Sequence, residues 1–177
     1  HVLIRSREGD LVYTEEDILL MERHIREARE LGVHGVVFGA LTPEGEVDIN
    51  ACRRLALAAN PEGCPQKIHT TFHRAFDKAT DPLKALEDII SLGCDRILTS
   101  GQKPSAQEGM ELLKVLNKKA DGRVIIMPGA GVNASNAAAI LRQSGCKEIH
   151  SSARADRNDT DTNPAVVAAI NSSIHEI

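Results

Sequence analysis

Aromatic residues are nearly absent from this chain: there is no Trp, one Tyr and three Phe, 2% of 177 residues. A core of that size must therefore be assembled from Leu, Ile, Val and Ala. Positive charge is also in short supply. The net charge of −4 argues against nucleic acid or an anionic membrane surface as the main partner. No apolar run approaches the roughly 20 residues of a membrane span, and no signal peptide is visible at HVLIR, an opening without Met that reads as a processed or incomplete start. The four cysteines, Cys52, Cys64, Cys94 and Cys146, contain no CxxC pair, so reduced thiols in a cytoplasmic protein are the expectation. Walker loops, nucleophile elbows and a correctly placed dinucleotide fingerprint are missing as well. A strand-borne lysine for Schiff-base chemistry is missing too.

What is present is a regular alternation of short apolar runs and amphipathic segments. Strands are expected at HVLIRSR (1 to 7), GVVFGAL (35 to 41), KIHTTFH (67 to 73), RILTS (96 to 100), VIIMPG (124 to 129) and EIHSS (148 to 152). Between them, Thr14 caps a helix that keeps Ile18, Met21, Ile25 and Ala28 on one face and ends at Gly32. A weaker helix runs from about Asp48 to Ala59. Asp81 and Pro82 supply N-cap and N1 of a third, which stops at Gly93. Ser105 and Glu108 form a capping box before Leu112, Leu113 and Leu116, and a further helix spans about Ser135 to Gln143, with Gly145 as its stop. The polar stretch 155 to 163 reads as a loop leading into a last helix, PAVVAAINSSIHEI. Three strands follow the same device of helix-ending Gly and short turn: LGVHGVVF, LGCDRILT and SGCKEIHS.

Short apolar strands alternating with helices imply a parallel sheet covered by helices. Chemistry-capable residues follow nearly every strand, which favours a TIM-type (β/α) barrel, whose strand ends share one mouth, over an open sheet with a single switch point. Six βα units are visible against the eight of a closed barrel, so the expectation is a single barrel domain over 1–177 lacking its first two units.

Candidate ligand residues cluster at those strand ends. Gly129 and Gly131 in PGAGVNASN would let backbone approach an anion before a helix N-terminus, with Ser151 and Ser152 as further donors; a tight turn that merely needs glycine is the competing reading. Arg5, Arg7 and Asp10 follow the first strand, Thr99 and Ser100 the fourth, and His150 the sixth. Arg suits bidentate recognition of carboxylate or phosphate. In TFHRAFD, strand alternation puts His69, Thr71 and His73 on one face. If that face is interior, His73 is a potential acid, base or ligand, and Arg74 bridges to Asp77. A structural hydrogen-bonding histidine is the duller alternative. Because Arg5, Arg7, Arg74, Lys103 and Arg154 all follow strands, a positive mouth on a negative body is expected, suited to small anions.

In this order, IRSREGDLVYT, VVFGALTPEGEVD, TFHRAFD, LTSGQ, MPGAGV and HSSAR resemble the CutC family, called copper homeostasis proteins, from His1 to about Arg154. The resemblance implies a TIM-type barrel with a polar pocket at its C-terminal mouth, an intracellular homo-oligomer, and a part in copper handling with Cu(I) binding proposed. It also implies that Arg5, Arg7, Asp10, His73, Arg74, Asp77, Thr99, Ser100, Gly129, Gly131, His150 and Ser151 occupy the family's motif positions. SREGD departs from the family's usual PRGGD at Ser6 and Glu8. The cysteine-bearing strands usually discussed for copper precede the point where this chain begins, so no copper site is carried over onto these residues. Two functions stay open: copper handling, and an enzyme or binder acting on a small phosphorylated or carboxylated metabolite, with His73 as base in a proton transfer.

Overall fold

The computed structural model describes residues 1–156 and 158–175. Arg157, within the expected polar loop, and Glu176 and Ile177, at the end of the expected last helix, lie outside the described residues. The elements alternate as the apolar periodicity requires. They are β1 (Val2–Leu3), α1 (Glu15–Glu30), β2 (Gly35–Phe38), α2 (Ile49–Ala59), β3 (His69–Phe72), a 3-10 helix (Arg74–Lys78), α3 (Pro82–Ser91), β4 (Arg96–Thr99), α4 (Met110–Ala120), β5 (Ile125–Pro128), α5 (Ala137–Ser144) and α6 (Pro164–Ile174). The strands form one five-stranded sheet in the order β1-β2-β3-β4-β5, with parallel registers such as Leu3↔Val37, Val37↔Thr71 and Phe72↔Ile97.

Sequential strand order with a helix between neighbours is the arrangement that parallel pairing demands, since a parallel connection needs a crossover. The chain divides into two compact units, His1–Ile97 and Leu98–Ile177, the boundary falling inside β4.

In the first unit the helix starts are written locally. Thr14 accepts from the Asp17 amide while the Asp17 carboxylate accepts from the Thr14 amide, a capping box at the head of α1. Asp48 accepts from the Ala51 amide, and Asp81 from the Leu83 and Lys84 amides, with Pro82 in the first turn. One sheet face is sealed: Ile4, Val36, Phe38, Phe72 and Ile97 are buried to within a few per cent of completely, together with Met21 and Ile25 of α1 and Leu55 of α2. Burying side chains of this kind stabilises by about 1.5–3 kcal/mol each. The other face carries Leu3, Val37, Thr71 and Arg96, and is less covered: Leu3 keeps 60% of its surface exposed.

In the second unit Leu113, Leu116 and Ala120 of α4, Ile126 of β5 and Ala137 and Ile140 of α5 make the core. Gly145 ends α5 with φ 72°, as its position after the last apolar residue predicts.

Three expectations are revised. The first strand is two residues long rather than seven, because beyond Ile4 the chain turns into a loop organised by Arg7. The segment 148 to 152 is not described as a strand, although His150 N–H donates to the Pro128 carbonyl at 2.8 Å in ladder fashion, so five strands are described rather than six. Of the expected Ser105–Glu108 capping box, Ser105 Oγ accepts from the Glu108 amide at 3.3 Å while donating to Glu108 Oε1 at 2.6 Å, and these bonds close a turn ahead of α4, which begins only after Gly109.

Candidate functional site

Two sets of strand-end residues compete for a functional role, and each is described within its own unit. In the first, the β1–α1 loop is built around Arg7. Its guanidinium donates to Asp10 Oδ1 at 2.7 Å, Asp17 Oδ2 at 3.2 Å and the Val12 carbonyl at 2.5 Å, and lies 5.5 Å from the centre of the Tyr13 ring. The Thr14 amide first, then Ser6 and Arg7, hold the Asp17 carboxyl at about 2; the Arg7 side chain likewise lowers Asp10. Arg7 and Asp10, both candidates for anion binding, thus bind each other. Arg74 behaves similarly, with its Nε 2.6 Å from Asp77 Oδ2 across one turn of the 3-10 helix, the bridge expected from TFHRAFD.

Arg5 and His73 differ. Arg5 Nη2 donates to the Gly9 carbonyl at 3.2 Å, but its Nε is buried without an acceptor. His73 retains 6% exposure; its Nδ1 accepts from the Ala75 amide at 3.1 Å, and its Nε2 is likewise buried with no partner. Desolvation, with a smaller contribution from the positive charge of Arg5, pulls the His73 pKa down to about 4. The imidazole is therefore neutral near pH 7, and with Nδ1 accepting, its proton resides on Nε2.

Register explains why the two side chains are neighbours. Leu3, Val37 and Thr71 are aligned, so Arg5, Gly39 and His73, each two residues on, fall in the next layer on the same face. Gly39 has room for no side chain: a Cβ there would sit 2.7 Å from His73 Nδ1. Sequence reasoning placed Thr71 on this face without assigning it a role; its hydroxyl is buried and unpartnered, as is that of Tyr13. Nothing in the sequence distinguishes those two hydroxyls from ones that are bonded.

The second unit's strand ends are internally bonded. Ser151 Oγ donates to the Val132 carbonyl at 2.8 Å and accepts from the Ala153 amide at 3.0 Å. The Gly131 carbonyl accepts from Asn136 Nδ2 at 2.9 Å, and Asn133 N–H donates to Asn136 Oδ1 at 2.8 Å. Gly131 lies in the left-handed region, φ 70°, directly after Ala130 at φ 80°. Gly129 packs beneath Leu98, and Thr99 Oγ1 accepts from the Gly101 amide at 2.9 Å. Ser100 Oγ donates to the Lys103 carbonyl at 2.5 Å. Ser152 and His150 are exposed.

The thiols do not form a soft-metal centre. Among the described residues there is no group of three or more His, Cys, Asp or Glu side chains arranged to hold a metal ion. Burial raises the thiol pKa of Cys52, of Cys146 and of Cys94, the last to about 12, which disfavours the thiolate a copper ligand requires. Cys64 sits against Arg29 in the loop after α2. A groove of about 620 Å³ between α1 and α2 is lined by Glu22, Arg26, Arg29 and Arg54. It lies on the helical side, and its arginines are engaged by Glu15, Glu22 and the Ala59 carbonyl.

Comparison with known proteins agrees with the strand-end motifs. The CutC family matches residues 1–155. A family protein CutC from Parabacteroides distasonis is 51% identical over 154 residues, covering 87% of this chain and 61% of the relative; one from Bacteroides thetaiotaomicron is 49% identical, covering 87% and 59%. The chain thus spans about three-fifths of the length of these curated relatives. A solved CutC from Streptococcus agalactiae, provisionally described as a copper homeostasis protein, superposes with a TM-score of 0.77 at 32% identity, over 84% of this chain and 70% of that one. With the motif order, the parallel βα fold and the matched span in agreement, this chain belongs to the CutC family.

Proposed function

We propose that this CutC-family chain supplies an oxyanion-recognition site at the carboxyl end of its first strands, for a small phosphorylated or carboxylated molecule. One observation supports the reading above the others: Arg5 Nε and His73 Nε2, two buried N–H donors on one face and in one layer, both lack an acceptor. Leaving a buried donor unanswered costs about 1–3 kcal/mol, more where the group is charged. An oxyanion seated between them removes that cost, and the guanidinium supplies the opposite charge. The residues have simple parts in this reading. Arg5 binds and orients the anionic group, His73 takes a second oxygen, and the loop tied by Arg7, Asp10 and Asp17 fixes the position of Arg5. In this reading Ser151 and the Gly129–Gly131 turn of the second unit brace their own loop and are assigned no part in binding the anion.

Titration of the protein with inorganic phosphate and with pyruvate, followed by calorimetry, tests this. Saturable binding lost in Arg5→Met is expected. Equal affinity in wild type and Arg5→Met removes the reading.

A second reading is copper homeostasis, favoured by the description of the streptococcal relative. The thiols described above do not fit a Cu(I) centre, so in this reading the metal would be handled by the longer protein and no step is assigned to these residues. A Cu(I) competition titration decides it: stoichiometric uptake abolished by Cys52→Ser or Cys94→Ser would move the weight to copper. Both readings have the five strands within a TIM-type barrel that further βα units of a longer protein complete. A cytoplasmic homo-oligomer is the accompanying proposal.

A further inference from the structure

We propose that His73 is an uncharged, single-tautomer hydrogen-bond donor to a ligand oxygen, held in that role by Gly39 and the Ala75 amide, and is not a proton-exchanging base. This rests on the oxyanion-site reading above and assigns the chemistry within it.

The ring position follows from a missing side chain. Gly39 lies in the layer of His73 on the adjoining strand end, and the His73 amide donates to the Phe38 carbonyl at 2.9 Å, fixing the backbone there. A Cβ at Gly39 would be 2.7 Å from Nδ1, 2.8 Å from Cε1 and 3.2 Å from the Ala75 Cβ. The imidazole therefore lies over the bare glycine, between its own strand and the strand that leads to Arg5. Any larger residue at position 39 displaces the ring.

The tautomer follows from the 3-10 helix. His73 is its N-cap, and Nδ1 accepts the Ala75 N–H, so the lone pair of the neutral ring is turned to the backbone. What remains is Nε2–H, which donates and cannot accept. A general base needs its lone pair facing the substrate. Here that lone pair is occupied, which replaces the proton-abstracting role expected of His73 from sequence.

Protonation would force a second N–H against the Ala75 amide and place a positive charge near Arg5 in a buried position. Among the described residues, the Arg5 guanidinium, the Gly39 backbone, the Ala75 amide and the edge of Phe72, with ring centres 6.1 Å apart, face the ring; none of these is a carboxylate that would favour the imidazolium. A buried neutral imidazole that donates to a carbonyl or oxyanion polarises that oxygen without taking a proton. The ligand class is accordingly an oxyanion or oxo-acid that offers one charged oxygen to Arg5 and a second oxygen to His73.

Long-range ¹H–¹⁵N spectra of histidine-labelled protein test this without any ligand. The expected spectrum shows His73 as the Nε2–H tautomer, unchanged from neutrality down to about pH 5. An Nδ1–H tautomer, or titration near the ordinary histidine value, overturns the inference. With millimolar pyruvate or inorganic phosphate added, the His73 Nε2 resonance moves. His73→Gln, whose amide N–H takes the place of Nε2–H, keeps affinity within about threefold, while His73→Phe and Gly39→Ala each lose about tenfold. Should Gln prove as weak as Phe, the donor role is wrong. If Arg5→Met abolishes binding while the His73 resonance stays still, the oxyanion site survives and only this inference fails. If Arg5→Met binds as wild type does, the site itself is lost.

Discussion

At the ends of β1 and β3, Arg5 Nε and His73 Nε2 are N–H groups with nothing to receive them; beyond β5, Ser151 bonds to the Val132 and Ala153 backbone, and Asn133 and Asn136 bond to each other and to the turn they decorate. Both stretches look alike as sequence: small residues, hydroxyls, amides and charges after an apolar run. They part only when each donor is matched with its acceptor. A polar strand end satisfied by its own backbone is a stabilised turn, and one with buried donors left over is a place built for something else. The same contrast divides the arginines. Arg7 and Arg74 have their carboxylates beside them, whereas Arg5 has one carbonyl and a free Nε.

The largest expected effect sharpens the turn side of this contrast. A Cβ at Gly109 would lie 1.8 Å from the Ser100 carbonyl oxygen, a collision with backbone that cannot move aside. Gly109→Ala should cost about 3 kcal/mol or more in denaturant unfolding. An unchanged midpoint would show the 99–109 loop to be softer than its packing indicates.

Acid comes next. The folded-state pKa of His73, about 4, lies below its ordinary value of 6.5. Between those values the unfolded chain binds the extra proton, so stability falls as pH drops from about 6.5 towards 4, by about 3 kcal/mol in total. Unfolding free energies of wild type and His73→Gln against pH check this, and parallel curves through that window would refute it. Asp17 is shifted in the same direction, from 3.8 to about 2, but because hydrogen bonds from Thr14 and its neighbours favour its charged form; its contribution is present above 3.8 and lost towards 2.

Arg5→Met should weaken binding of inorganic phosphate or pyruvate by about tenfold to a hundredfold, the range for a charged hydrogen bond. The smallest effect belongs to Ser151→Ala. It removes one donated and one accepted hydrogen bond and should lower stability by about 1–2 kcal/mol while phosphate affinity stays as it was. If affinity falls instead, the contrast between the two strand ends is broken, and Ser151 binds ligand rather than bracing a turn.

Much of the fold was readable from particular residues. Thr14, Asp48, Asp81 with Pro82, and Gly145 mark helix ends because capping is a contact over three or four residues, complete within the sequence window. Six strands were expected and five are described, because EIHSS has the apolar pattern of a strand but, beyond the His150–Pro128 bond, forms no described ladder with the sheet. Strand pairing is a relation between distant segments, and a pattern alone does not guarantee the partner. At the site, the TFHRAFD motif singled out His73 and the Arg74–Asp77 bridge. It did not reveal that Gly39, thirty-odd positions earlier, makes room for the ring, nor that Thr71 and Tyr13 bury unpartnered hydroxyls.

The amino-acid sequence by itself determined the βα alternation, the helix ends at Thr14, Asp48, Asp81 and Gly145, and the shared strand face of His69, Thr71 and His73, since all three are set by periodicity and short-range bonding. Tertiary structure decided which polar groups are left without partners, because an acceptor arrives from another strand or loop and burial removes the water that would otherwise serve. The neutrality of His73 has the same origin: its pKa is depressed by a surrounding that no neighbour in sequence supplies.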